Sequence, residues 1–132
     1  MKNLPLALCL LFAAVSVAAA RVPDLRLLDG YQHKAEAAED SAAGKIWKEG
    51  GITIHYDIGR LAGQCVDPAR RCDYAWFREQ QVNGHTVYSA RTKDGQVLVT
   101  FPGAEPANFY ADCRSQDDVA DMLLMVLTYD PK

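Results

Sequence analysis

YAWFREQQVNGHTVYSARTKDGQVLVTFP, residues 74–102, is the stretch whose reading decides the fold. Asn83-Gly84 and Asp94-Gly95 each stand between runs rich in strand-forming residues. Both dipeptides suit a two-residue hairpin turn, whose central residues take positive φ. A turn at Asn83-Gly84 pairs Val82 with His85, hence Glu79 with Tyr88 and Phe77 with Ala90. A turn at Asp94-Gly95 pairs Lys93 with Gln96, hence Ala90 with Val99 and Tyr88 with Phe101. Directly paired residues share a face of the sheet, and a slip of one residue exchanges the faces. The two turns then agree on one face holding Phe77, Tyr88, Ala90, Val97, Val99 and Phe101. The opposite face holds Arg78, Ser89, Arg91, Leu98 and Thr100. A three-stranded antiparallel meander is therefore expected over residues 74–102. Pro102 and Pro106 end it, and residues 108–112 are expected to add a fourth strand.

Working outward, the alternation in Ile52-Thr53-Ile54-His55-Tyr56 predicts another strand, with Ile52, Ile54 and Tyr56 on its buried side. At the other end, Ser115 is suited to cap a helix, and Asp117 and Asp118 place negative charge at its positive end. Val119, Met122, Leu123 and Val126 recur at helical spacing, with Leu124, Met125 and Leu127 widening the stripe. The fold class expected is α+β: an antiparallel β-meander over about residues 46–112, covered by a C-terminal α-helix. Residues 45–132 form its single domain. Residues 21–44 are expected to be an N-terminal arm or a short helix, because His33 to Ala43 is rich in Ala and Glu.

The first 20 residues read as a cleaved signal peptide. Lys2 supplies a positive start, residues 4–17 are almost unbroken apolar chain, and Ala18-Ala19-Ala20 suits cleavage after Ala20. The apolar run is short of the ~20 residues that span a bilayer. Cleavage leaves 112 of the 132 residues, and loss of Lys2 takes the net charge from −3 to −4. No later segment is apolar over a membrane-spanning length. Mild acidity argues against a nucleic-acid partner, which calls for a basic face. The expected location is periplasmic or secreted.

Export places Cys65, Cys72 and Cys113 where thiols tend to pair. Cys65 and Cys72 bracket a short loop with a proline turn signal, and a Cys65–Cys72 disulfide there is expected to contribute about 2.5 kcal/mol in the chain-entropy model. Pairing of Cys113 with either stays open at the level of sequence. Within that loop Arg70 and Arg71 present two guanidinium groups suited to an acidic protein surface. Tyr74 and Trp76 follow, and Trp, Tyr and Arg are the types enriched at binding hot spots. These four are the candidate partner-binding residues; the competing reading is a solvated loop beside aromatics that face the core.

Catalytic signals are sparse. His33, His55 and His85 fall in no zinc-binding spacing, so no metal site is expected. Cys113 is a nucleophile only if folding supplies a base and lowers its pKa; Asp112 opposes that and Arg114 favours it. No phosphate-cradling loop, dinucleotide fingerprint or nucleophile elbow is present.

The leader, the domain of roughly 110 residues with few cysteines, the run Gly51-Ile52-Thr53-Ile54-His55-Tyr56 and the terminal helix 118–128 together resemble small periplasmic immunity proteins. Those proteins neutralise toxins delivered by bacterial secretion systems. The resemblance implies a protein partner, no cofactor, and inhibition by occluding the partner's active site. Small inhibitors of cell-wall lysozymes are similar in plan. The expected function is an exported protein-binding module that blocks a toxin or cell-wall enzyme. The alternatives are a small exported hydrolase with a Cys/His site and an envelope assembly or scaffold component.

Overall fold

Seven strands run antiparallel in one sheet within the computed structural model, which describes residues 23–131. The expected leader, residues 1–20, lies outside the described residues. In chain order the strands are β1 (Gln32–Glu36), β2 (Ala42–Trp47), β3 (Thr53–Ile58), β4 (Trp76–Val82), β5 (His85–Arg91), β6 (Gln96–Phe101) and β7 (Ala107–Asp112), followed by helix α1 (Gln116–Val126). Their spatial order is β1-β2-β3-β7-β6-β5-β4. Two meanders, β1 to β3 and β4 to β7, thus meet at the β3–β7 seam in the middle of the sheet. To begin the second meander the chain must travel from the centre to the far edge. Residues 59–75 make that crossing.

The first turn behaves as its sequence dictates. Val82 pairs with His85 and Phe77 with Ala90, and Asn83 and Gly84 take φ of 50° and 81°. The second differs. Thr92 N donates to Gln96 O at 2.8 Å, and Gly95 N donates to Thr92 O at 3.1 Å with Gly95 at φ 95°. Lys93, Asp94 and Gly95 therefore form a three-residue connection ending in one left-handed glycine. The Thr92 hydroxyl reinforces it, accepting from Gln96 N at 3.0 Å and bonding the Asp94 carboxylate.

The extra residue shifts the register by one. Ala90 faces Leu98 rather than Val99, and Tyr88 faces Thr100 rather than Phe101. Phe77, Tyr88 and Ala90 consequently share a face with Leu98 and Thr100, while Val97, Val99 and Phe101 lie on the other. The single apolar face expected across all three strands is thus two apolar faces. Val97 to Phe101 are all buried, so β6 has no polar side from which its register is legible.

A second difference lies upstream. His33 to Ala43, expected as a helix or arm, supplies most of β1 and the start of β2. Strand pairing overrides helix propensity here, because β2 offers β1 a full ladder from Gln32↔Trp47 to Glu36↔Ala43. The preceding residues are also fixed. Leu25 and Leu28 pack against the core, Arg26 N donates to Thr128 Oγ1 at 2.8 Å, and Asp130 N donates to Asp24 O.

Helix α1 covers one face. Ser115 Oγ accepts from Asp118 N at 3.1 Å, capping the helix as its sequence predicts. Met122, Met125 and Val126 are fully buried among Ile46, Ile54, Tyr56, Val87, Val97, Val99, Phe101 and Phe109, whereas Leu124 is left exposed. On the other face residues 59–75 cover only the half built from β7, β6, β5 and β4. There Val66, Ala90 and Leu98 form a smaller cluster with Tyr74, Phe77, Tyr88 and Tyr110. Two fully buried polar side chains fasten that crossing. Asn108 Oδ1 accepts from Cys65 N at 2.9 Å and from Thr100 Oγ1 at 2.8 Å, and its Nδ2 donates to Gly63 O at 2.9 Å. Thr100 Oγ1 in turn accepts from Val66 N at 3.1 Å.

Candidate functional site

The half of the second face built from β1, β2 and β3 carries no further layer among the described residues. The ladders align its side chains in rows. One row runs Lys34, Lys45, His55, Tyr110 from β1 to β7; the next holds Gln32, Trp47 and Thr53; the third holds Glu36, Ala43, Asp57 and Asn108. Gln32, Lys34, Glu36 and Thr53 are exposed. The Lys45 ammonium lies 5.1 Å above the Trp47 ring, and His55 stacks on Tyr110 with ring centroids 5.3 Å apart.

Trp47 is the informative residue. A tryptophan in the middle of a small domain ordinarily joins the core. Trp76 does so, packing against the helix-side cluster, but Trp47 belongs to neither hydrophobic cluster of the described residues. It is half-buried, with the Lys45 ammonium over its ring. On the same face, two rows away, Asp57 Oδ1 is buried with no hydrogen-bond partner among the described residues. Burial first, and then the charges of Cys65, Asp57 and Glu36, raise the Tyr110 hydroxyl above its usual pKa.

The four expected contact residues separate. Arg70 is exposed on the 3-10 turn Pro68–Asp73 and pairs with Asp73 at 3.1 Å. Arg71 donates from Nε to Pro68 O at 2.9 Å and rests its guanidinium 5.3 Å from the Phe77 ring. Tyr74 is half-buried, stacks on Phe77, and its hydroxyl accepts from Asp67 N at 3.0 Å. Trp76 points to the helix side. Arg70, Arg71 and Tyr74 thus stay together on the raised loop, and Trp76 leaves them.

The Cys65–Cys72 disulfide is absent: Cys65, Cys72 and Cys113 are all free, with no two sulfurs near bonding distance. The loop lies across the sheet instead of closing on itself. Cys65 is fastened over β7 through Asn108, while the turn carrying Cys72 rests over Phe77 of β4. Three strand spacings, about 14 Å, separate those anchors. Hydrogen bonds to Asn108 and Thr100 do the ordering expected of the disulfide.

The cysteines are poorly placed for nucleophilic work. Cys113 is buried, and desolvation, with Asp118 and Asp112 adding and Arg91 opposing, pushes its thiol up to about 11. Lost hydration and then the Asp57 carboxylate raise the Cys65 thiol, although the residue as a whole is exposed. Neither thiol is activated for attack at neutral pH. Among the described residues no group of three or more His, Cys, Asp or Glu gathers to hold a metal, and no helix is long and apolar enough to cross a membrane.

The open face is a site that spacing around Gly50-Gly51 makes legible. Alternation already puts Thr53 and His55 outward, and the turn closed by Gly51 N to Lys48 O places Trp47 opposite Thr53. Pairing outward from that turn, by the rule that sets Val82 opposite His85 at Asn83-Gly84, places Lys45 and Trp47 on the same face as Thr53 and His55. No family model matches the chain, and neither a curated protein nor a solved structure matches it.

Proposed function

We propose that this protein is an exported protein-binding module, an inhibitor or immunity protein that blocks a toxin or cell-wall enzyme by covering it with the second face of the sheet. The observation that carries the reading is Trp47, a large ring placed outside both cores on the half of the second face that residues 59–75 leave uncovered. Tryptophan, tyrosine and arginine dominate binding hot spots because they bury much area for little ordering entropy.

The same face offers Lys34 and Lys45 in one row and, on the raised loop toward β4, Arg70 and Arg71. Trp47 on β2 and Phe77 beneath Arg71 on β4 are five strands apart, about 24 Å at the strand spacing of a sheet. That span suits an interface of standard size. Cations distributed over it favour an acidic partner surface and fast encounter. Ordering of the loop through Asn108 lowers the entropy lost on docking.

The test is retention of partners from an envelope extract by the immobilised domain, compared with Trp47→Ala and with Arg70→Glu/Arg71→Glu. A protein held by the wild type and lost by Trp47→Ala is expected, and adding the domain should depress that protein's enzymatic activity. Equal retention by the wild type and both variants refutes the proposed surface.

A further inference from the structure

The seam between β3 and β7 does not close along its whole length. Strand β3 begins at Thr53, which pairs with Trp47 of β2, and β7 runs on to Asp112, which pairs with Gln96 of β6. Between the two, however, the ladder starts only at His55↔Tyr110. Thr53 and Ile54 on one side, and Ala111 and Asp112 on the other, have no partner across the seam. Since successive residues of a strand direct their N–H and C=O to alternate sides, one residue of each pair aims its backbone groups into the gap. A hollow of about 600 Å³ opens there, between second-face side chains and the start of α1, within the size range of small-ligand sites.

Its walls restrict what fits. They include Thr53, His55, Gln96, Tyr110, Asp112 and Arg114. Ile52 and Ala111 also line the hollow, but both are almost wholly buried in the helix-side core and offer a guest little apolar surface. An anion is disfavoured by Asp112 and by Asp118, which also lines the hollow. A bare cation is disfavoured by Arg114. What remains is an uncharged guest that donates and accepts hydrogen bonds at many points. Carboxylate, carboxamide and guanidinium groups are planar and present paired donors or acceptors, so each can engage two neighbouring hydroxyls. His55 and Tyr110, stacked on one another with centroids 5.3 Å apart, bring two rings beside the hollow as contact surface for the C–H groups of a pyranose.

We propose that the cleft where β3 and β7 part, walled by Thr53, His55, Gln96, Tyr110, Asp112 and Arg114, binds a neutral saccharide. The cleft adjoins the Trp47–Lys45 docking surface, because Thr53 lies opposite Trp47 and His55 opposite Lys45, but Gln96, Asp112 and Arg114 lie outside that surface and sugar binding does not rest on the docking reading. Asp112 is exposed, so its replacement leaves the core intact.

The experiment is an amide-resolved NMR titration of the ¹⁵N-labelled domain with cellotriose, maltotriose and triacetylchitotriose, with inorganic phosphate as the anionic control. At least one sugar is expected to produce saturable shifts at Thr53, Gln96 and Asp112. Asp112→Ala and Gln96→Ala should each weaken that sugar about tenfold, the loss of roughly one hydrogen bond. Arg70→Glu/Arg71→Glu, on the crossing loop away from the cleft, should leave it unchanged. The proposal is overturned if no sugar shifts these amides at millimolar concentration, if the shifts map elsewhere, if phosphate shifts them more strongly, or if both cleft variants bind as the wild type does. Since Arg70→Glu/Arg71→Glu alters the docking surface and spares the cleft, while Gln96→Ala and Asp112→Ala alter the cleft outside that surface, failure of either proposal is recognisable separately.

Discussion

Replacing Asn108 by Ala is expected to release the crossing loop while the sheet beneath it stays folded. The side chain is fully buried and holds Cys65 N, Thr100 Oγ1 and Gly63 O through three hydrogen bonds of 2.8 to 2.9 Å. Left buried without partners, each of those groups costs about 1–3 kcal/mol, a total well above what one loop supplies. The loop has a cheaper course, which is to lift and let water reach Cys65 N and Gly63 O. Lifting exposes Val66, whose burial is worth about 1.5–3 kcal/mol, and part of the small cluster around it. The smaller cost governs, so a loss of about 2–3 kcal/mol is expected. This is less than the 5–15 kcal/mol that holds a typical domain together, so unfolding should be local. Native-state hydrogen exchange should show Cys65 and Val66 amides exchanging about 30- to 100-fold faster, with β2, β3 and β7 amides little changed. A urea transition should place the global change. Unaltered protection of Cys65 and Val66 in a folded Asn108→Ala domain would refute the claim that this amide fastens the loop.

Alkali should destabilise the domain in the window from about pH 9 to 12. Burial pushes Tyr56 up to about 12 from its ordinary value of 10.0, with Glu36 adding, and Cys113 up to about 11 from 9.0. Both groups are favoured neutral in the fold, so their contribution is complete below the unfolded pKa and is lost as pH rises through the folded one. Each carries at most about 2–3 kcal/mol, read as the urea midpoint against pH, and Tyr56→Phe should flatten the upper part of that decline. His33 behaves in the opposite direction: burial lowers its pKa below 6.5, so stability should fall as pH drops below that value, and less steeply in His33→Gln. Gly44→Ala should cost at least about 2 kcal/mol in a thermal melt, because its Cβ would lie 2.4 Å from both Lys34 O and the Tyr56 hydroxyl. Gly95→Ala should cost about 1–2 kcal/mol through its φ of 95° alone, since the nearest atom to a Cβ there, Cys113 O, is at an ordinary 3.5 Å.

By itself the sequence determines the class of the fold and much of its local detail. Asn83-Gly84 fixes one register because both residues must take positive φ. Ile52, Ile54 and Tyr56 declare a buried side by alternation, and Ser115 with Asp117 and Asp118 announces the start of α1. These are short-range effects in which few residues decide the outcome. The tertiary structure decides whatever depends on a partner distant in the chain. Val97-Leu98-Val99 is apolar on both sides, so only the three-residue turn at Lys93–Gly95 says which face each residue takes. Residues 32–36 become a strand only because β2 lies beside them. Cys65 and Cys72, near neighbours in sequence, are held apart because Asn108 and Phe77 anchor their loop at different strands. The open face around Trp47 exists only once seven strands are ordered and a loop has covered half of one side. Chain entropy and turn stereochemistry are local, whereas burial is a property of the assembled sheet.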